Sequence, residues 1–226
     1  MIKVIYEDNH LLVVEKPVNI LSQGDDTNDK DMVNLLKDYV KNKYNKPGNV
    51  YIGLVHRLDR PVGGVMVFAK TSKAASRLSD QVRTKVFKKT YKAVIHGNMP
   101  KPEDTLKDYL YKNKKTNMVT VVKKDHKESK DAQLSYITLE KTKAFSLVEI
   151  DLKTGRPHQI RVQFSSRNHP LYGDQRYGTN VNKIGQQIAL WSNSLEIIHP
   201  VTKEKMKFES NPPKEYPWDM FSDYNG

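Results

Sequence analysis

His56-Arg57-Leu58-Asp59-Arg60-Pro61-Val62-Gly63-Gly64 stands about a quarter of the way along the chain. One acid is flanked by basic residues and followed by turn formers. Arginine neighbours favour the ionised carboxylate and keep it available as an anion or nucleophile. The run lies between apolar Tyr51, Ile52, Leu54 and Val55 and the strand-like Val65 to Phe68. The chain is therefore expected to enter and leave a core around Asp59. A carboxylate at the rim of a core, beside arginines, is a candidate functional group. The plainer alternative is a surface aspartate in a turn, paired with Arg57 or Arg60.

A second run, Thr154-Gly155-Arg156-Pro157-His158-Gln159-Ile160-Arg161-Val162, supplies more basic groups. Pro157 suits the first position of a helix, which predicts a short helix over His158 to Arg167 with Thr154 or Gly155 near the cap. His158 and Arg161 are three apart and would share a face. A helix start carrying Arg156, His158 and Arg161 suits a phosphate or carboxylate; the plainer reading is an ordinary helix start. A third piece, Lys89-Thr90-Tyr91-Lys92-Ala93, sets a tyrosine in a basic strand. Such a tyrosine is most often only a strand former with snorkelling neighbours.

Around these pieces, residues 2–6 and 11–15 read as two strands with a turn at Asp8-Asn9. Gly24 to Lys30 is a polar loop. From Asp31, apolar Val33, Leu36, Val40 and Tyr44 follow helical spacing until Pro47-Gly48. Ser72 is placed as the cap of a second helix with stripe Ala75, Leu78 and Val82. Tyr91 to Ile95, Met118 to Val122, Ala132 to Leu139, Phe145 to Leu152, Ile188 to Ile197 and Lys205 to Phe208 look extended. Lys112 to Asn117 and Lys123 to Asp131 are taken as hairpin loops. Helix and strand alternate too irregularly for a doubly wound parallel sheet. The expectation is an α+β fold, a large mixed or mostly antiparallel sheet with flanking helices, as one domain over 1–226.

The chain has 226 residues, 37% hydrophobic and 28% charged, which is globular composition. With no cysteine there is neither a disulfide scaffold nor thiolate chemistry, which is compatible with a cytoplasmic location. No apolar run approaches the roughly 20 residues of a membrane span, and the start lacks the apolar centre of a signal peptide. A formal charge of +12 points to a polyanionic partner, nucleic acid above all. Gly64-Val65-Met66-Val67-Phe68-Ala69-Lys70-Thr71 nearly matches a phosphate-binding loop, but Val-Met-Val-Phe is a strand, whereas that loop needs small residues. No H-E-x-x-H or G-x-S-x-G occurs. A metal site and an esterase-like serine therefore find no support.

The two runs around Asp59 and Arg161 together resemble the RluA-type family of RNA pseudouridine synthases. Supporting matches are Tyr6-Glu7-Asp8-Asn9-His10 through Val14-Glu15-Lys16-Pro17, Ala132-Gln133, and His169-Pro170-Leu171-Tyr172-Gly173-Asp174 with Tyr177-Gly178. The resemblance implies an isomerase of uridine in ribosomal or transfer RNA, with Asp59, Tyr91 and Arg161 as its catalytic set and no metal or cofactor. Arg161 would pair with the aspartate, Tyr91 would stack on the uracil, and Arg57 would fill the stack left by the flipped base. His158 and Gln159 would tie the two motifs together. Arg60, Arg156, His158, Lys89 and Lys92 are further candidates for contact with RNA. The expected protein is a monomer with no obligate protein partner, lacking the small N-terminal RNA-binding domain of some relatives. The chain departs from the family in Val62-Gly63-Gly64, where a Thr-Ser-Gly type run is usual, and in Gln163, where a histidine is usual. Two other classes stay open beside this one. A non-catalytic RNA-binding factor would use the same basic surface. A glycosidase-like hydrolase normally needs two carboxylates, and the run has one.

Overall fold

The computed structural model describes residues 2–25 and 29–222; part of the expected loop at Gly24 to Lys30 lies outside them. The described residues form eleven strands and three α-helices. This agrees with the α+β expectation. By internal packing the chain divides into two compact units, residues 1–89 with 192–211, and residues 90–191 with 212–226. No helix among the described residues is long and apolar enough to cross a membrane.

The first unit holds β1 (Lys3–Glu7), β2 (Leu11–Lys16), α1 (Met32–Lys43), β3 (Gly53–Leu54), β4 (Gly63–Ala69) and α2 (Ser72–Arg83). β1 pairs with β2 and β2 with β4, both antiparallel, with Val14 opposite Met66. β2 and β4 are buried on both faces, which is why Leu11 to Val14 and Val65 to Ala69 are unbroken apolar runs. One face packs Leu11, Val13, Val65 and Val67 with Ala74 and Leu78 of α2 and with Phe87. β10 (Leu190–Ile198) and β11 (Lys205–Glu209) add Leu195, Ile197 and Phe208 to this core. The β4 run is thus a central strand and not a phosphate-binding loop. Gly64 adopts φ +115°, and a Cβ there would stand 2.3 Å from the carbonyl oxygen of Ser192.

The helices shift the expected boundaries. α1 buries Met32, Leu36 and Val40, an i, i+4, i+8 stripe, while Tyr44 lies past its end and is exposed. Asp31 caps it by accepting the Asn34 N–H at 3.1 Å. α2 is capped by Thr71 rather than Ser72, its hydroxyl accepting the Ala74 N–H at 3.1 Å. Both residues are able caps, and pattern alone does not choose between neighbours.

The second unit is an antiparallel meander with one crossing. β5 (Lys88–His96) pairs with β9 (Phe145–Leu152), β9 with β8 (Lys130–Lys141), β8 with β6 (Glu103–Lys112), and β6 with β7 (Val119–Val122). Residues 113–118 form the expected hairpin loop. Residues 123–129 do not, because β8 pairs with β6; they cross from β7 past β6. β6 has no apolar pattern that marks it as a strand in the sequence. α3 (Gln159–Ser165) packs Val162 on Leu110, Val119 and Ala132, and Phe164 edge-on to Tyr136 at 5.6 Å.

Candidate active site

In the first unit burial varies along the Asp59 segment: His56 buried, Arg57 exposed, Leu58 buried, Asp59 half-buried, Arg60 exposed. The turn closes with the Val62 N–H donating to the Asp59 carbonyl at 3.0 Å. Three buried polar side chains hold it. The Ser22 hydroxyl donates to the Leu58 carbonyl at 2.7 Å and accepts the Leu58 N–H at 3.0 Å. Lys16, without solvent exposure, donates to the carbonyls of Pro17, Arg60 and Val62 at 2.9, 3.1 and 2.8 Å. Nε2 of His56 accepts the Val67 N–H of β4 at 3.1 Å.

The electrostatics follow from this burial. Three carbonyl acceptors match the three N–H donors of an ammonium. Burial nonetheless pulls the Lys16 pKa down to about 7; the Asp59 carboxylate works against that pull and Arg60 with it. Burial, aided by the charge of Lys89, also depresses the His56 imidazole to about 3. Lys89 is itself lowered by burial, its ammonium 5.6 Å from the centre of the Phe87 ring. Arg60 forms an ion pair with Asp29 at 2.7 Å, both side chains about half exposed.

In the second unit α3 does not begin at Pro157. His158 takes the left-handed conformation, φ 51°, as the N-cap, and Gln159 is the first helical residue. Gln159 ties down the chain before the helix: its Oε1 accepts the Arg156 N–H at 3.0 Å and the Thr154 hydroxyl at 2.7 Å. Its amide nitrogen then donates to Gln163 at 3.0 Å, and Gln163 donates to Asp108 at 2.7 Å. Asp108 also receives Arg167 at 2.9 Å. Gln163, at the family's histidine position, is thus one link in a buried relay that has both a donor and an acceptor to satisfy.

Arg161 is buried on α3. Its Nε and Nη2 donate to the two carboxylate oxygens of Asp174 at 2.8 and 2.7 Å. The Tyr177 ring lies 5.2 Å from the guanidinium, and the Tyr177 hydroxyl meets Nδ1 of His158 at 2.7 Å and accepts the Val119 N–H at 3.0 Å. His158 stands before the helix and not on a helix face with Arg161, yet both residues contact Tyr177. Arg156 is bound to Asp131, Nε to its carbonyl and Nη2 to its carboxylate, both at 2.7 Å. Tyr91 is 5% exposed on β5, opposite Ile150 of β9, and half-buried Lys92 faces Glu149 in the same register.

The first unit thus brings Asp59 together with Arg57, Arg60 and Lys16. The second gathers Arg161, His158, Asp174 and Tyr177. In the sequence, Asp174, Tyr177 and Lys16 stand out only as parts of family landmarks, and nothing marks Ser22. The signal for Lys16 was present: a lysine closing the apolar run Leu11 to Val14 has to bury its amine on something polar. Among the described residues no cluster of three or more His, Asp or Glu could hold a metal ion.

Comparison with known proteins places the chain in a family. Residues 10–166 match the model of the RNA pseudouridylate synthase family. The chain is 30% identical over 218 residues to the uncharacterized RNA pseudouridine synthase YhcT of Bacillus subtilis (strain 168), covering 96% of this chain and 69% of that one. It is 34% identical to ribosomal large subunit pseudouridine synthase C of Buchnera aphidicola subsp. Schizaphis graminum, covering 90% and 65%. This chain therefore spans about two thirds of the length of these relatives. In fold it is similar to human RNA pseudouridylate synthase domain containing 4, with TM-score 0.79, 21% identity and coverage of 94% and 89%. The domain containing 1 protein gives 0.75 at 21% identity, covering 96% and 85%. With the Asp59 and Arg161 motifs in order on this fold, the chain belongs to the RNA pseudouridylate synthase family, in its RluA-type branch.

Proposed function

We propose that this chain isomerises uridine to pseudouridine in RNA, with ribosomal RNA the favoured substrate because several relatives are named ribosomal large subunit pseudouridine synthases. In that reaction the bond from ribose C1′ to N1 breaks, the base turns, and C5 joins C1′. The C5 proton leaves and N1 gains one. Product and substrate have the same atoms, so no oxidant, hydride or phosphoryl donor is consumed.

Asp59 starts the reaction in this reading, by attack on C1′ or by removing the C2′ proton. Arg161 aims the carboxylate, with its guanidinium plane already set by Asp174. Tyr91 covers the base and assists loss of the C5 proton. Arg57, exposed between two buried neighbours, fills the vacated stack, since guanidinium planes stack well on bases. Lys89, Lys92, Arg60, Arg156 and His158 serve RNA contact or shape that surface. The chain acts in the cytoplasm as a monomer. The observation that carries the reading is the Asp59 turn: one half-buried carboxylate on a loop built from buried polar contacts, in a chain of this family.

Asp59→Asn tests it. The change is nearly isosteric and removes the charge. RNA binding should persist, while tritium release from C5-labelled uridine should vanish. Residual turnover at a tenth of wild type removes Asp59 from the mechanism. Transcriptome-wide pseudouridine mapping with and without the protein identifies the RNA and separates a catalyst from a binding factor.

A further inference from the structure

The peptide groups around Asp59 are held to an extent that the turn alone does not require. The carbonyls of Leu58, Asp59, Arg60 and Val62 all accept hydrogen bonds: from the Ser22 hydroxyl, the Val62 N–H, and the Lys16 amine twice. Ser22 has the tightest grip. One hydroxyl engages both backbone groups of Leu58, and the Leu58 carbonyl belongs to the peptide bond that leads into Asp59. Ser22 is 4% exposed, so water does not compete for these bonds. Its own backbone is anchored next door, where the Leu21 carbonyl accepts the Met32 N–H at the start of α1 at 2.8 Å. The chain of support runs from α1 through Ser22 to Leu58 and then to Asp59.

Resting on the assignment of Asp59 above, we infer that Ser22 is a positioning residue for the isomerisation, fixing the direction of the Asp59 carboxylate through the Leu58 peptide without touching the RNA. Reaction rates are steep in this coordinate, since a misplacement of about 1 Å can cost about 100-fold. A hydroxyl suits the task because it donates and accepts at once. Alanine does neither, and would leave a buried carbonyl and N–H without partners.

The test is Ser22→Ala in the full chain, read by single-turnover rate and RNA dissociation constant together. The rate should fall by about 10–100-fold, with the dissociation constant within threefold of wild type. Ser146→Ala is the matched control. Ser146 is also fully buried, and its hydroxyl bonds the Gly97 carbonyl and the Asn98 side chain at 2.8 Å in the other unit. Its rate should stay within threefold of wild type at a comparable loss of melting temperature. An equal rate loss in both variants means general softening and overturns the inference. A wild-type rate in Ser22→Ala, with Asp59→Asn inactive, also overturns it and leaves the Asp59 assignment standing. Turnover by Asp59→Asn would sink that assignment instead. Should Ser22→Ala not fold, Ser22→Cys fills the site with a somewhat larger group that is only a weak donor. It must show the same loss of rate without loss of binding, and a wild-type rate there counts against the inference.

Discussion

Arg161 and Asp174 form a two-pronged ion pair inside the second unit, Nε to Oδ2 at 2.8 Å and Nη2 to Oδ1 at 2.7 Å. The side chains are 8% and 0% exposed. Asp174 Oδ1 also accepts the N–H groups of Arg176 and Tyr177 at 2.9 and 3.1 Å. Burial pushes the Asp174 carboxyl up, but the bonds and charge of Arg161 outweigh it, and the group sits below its ordinary value. The pair fixes the guanidinium plane before any RNA arrives. The acid that the motif needs beside Arg161 for this purpose is thus thirteen residues downstream.

Asp174→Ala should destabilise the protein by about 3–5 kcal/mol, the usual cost of leaving one partner of a buried pair alone. Urea unfolding measures this directly. Arg161→Lys should not be silent either, since an ammonium cannot reproduce the planar fork. A loss below 1 kcal/mol in Asp174→Ala would show that solvent reaches the pair.

His56 gives a pH dependence with a definite sign. Its Nε2 accepts a backbone N–H, so the folded protein needs the neutral ring, and burial holds the pKa near 3 against 6.5 for a free histidine. Above pH 6.5 neither state binds the proton and this contribution is complete. Below 6.5 the unfolded chain takes up a proton that the folded one refuses, so stability falls until about pH 3. Between pH 7.5 and 5 the loss should be about 2 kcal/mol, at 1.36 kcal/mol per unit. His56→Gln can still accept the Val67 N–H but does not titrate, so subtracting its unfolding curve isolates the effect. Equal pH slopes in the two proteins would show that His56 is not the group responsible.

Much of this was legible in the sequence, and the exceptions have physical causes. Alternation or unbroken apolar runs revealed β1, β2, β4, β5 and β7 to β11, because those strands bury apolar side chains. β6 escaped because Asp108 falls on the same face as Leu106 and Leu110, and a charge between leucines reads as surface. It is half-buried there because Arg167 neutralises it and Gln163 bonds it. The start of α3 escaped because Pro157 is a good first residue, whereas the chain spends a left-handed His158 before turning helical. The runs around Asp59 and Arg161 stand out in the sequence as motifs. The contacts of Ser22 and Asp174 do not, since they reach residues 36 and 13 positions away along the chain.

Gly64→Ala should not give a folded protein. The position combines φ +115° with a Cβ position only 2.3 Å from the backbone oxygen of Ser192. Backbone on a neighbouring strand cannot step aside as a side-chain end can. The penalty should exceed about 4 kcal/mol, the range reserved for special backbone positions and cores. Expression and thermal unfolding decide it. A soluble variant melting within a few degrees of wild type would mean that β4 and Ser192 separate readily.

Tyr91→Phe separates stacking from proton transfer. Phenylalanine keeps the ring on β5, so RNA affinity should stay within about 1 kcal/mol, below the usual loss when a stacking aromatic is truncated. Without the phenol, loss of the C5 proton should slow by about 10²–10⁴, the range for one general acid–base group. Tritium release from C5-labelled uridine, run beside a binding assay on the same RNA, reads both quantities. Wild-type release would leave Tyr91 as a stacking surface and return the proton to another base, with Asp59 the first candidate. Collapse of binding and release together would make the hydroxyl a structural partner, because a residue only 5% exposed has little room to lose a bond without moving its neighbours.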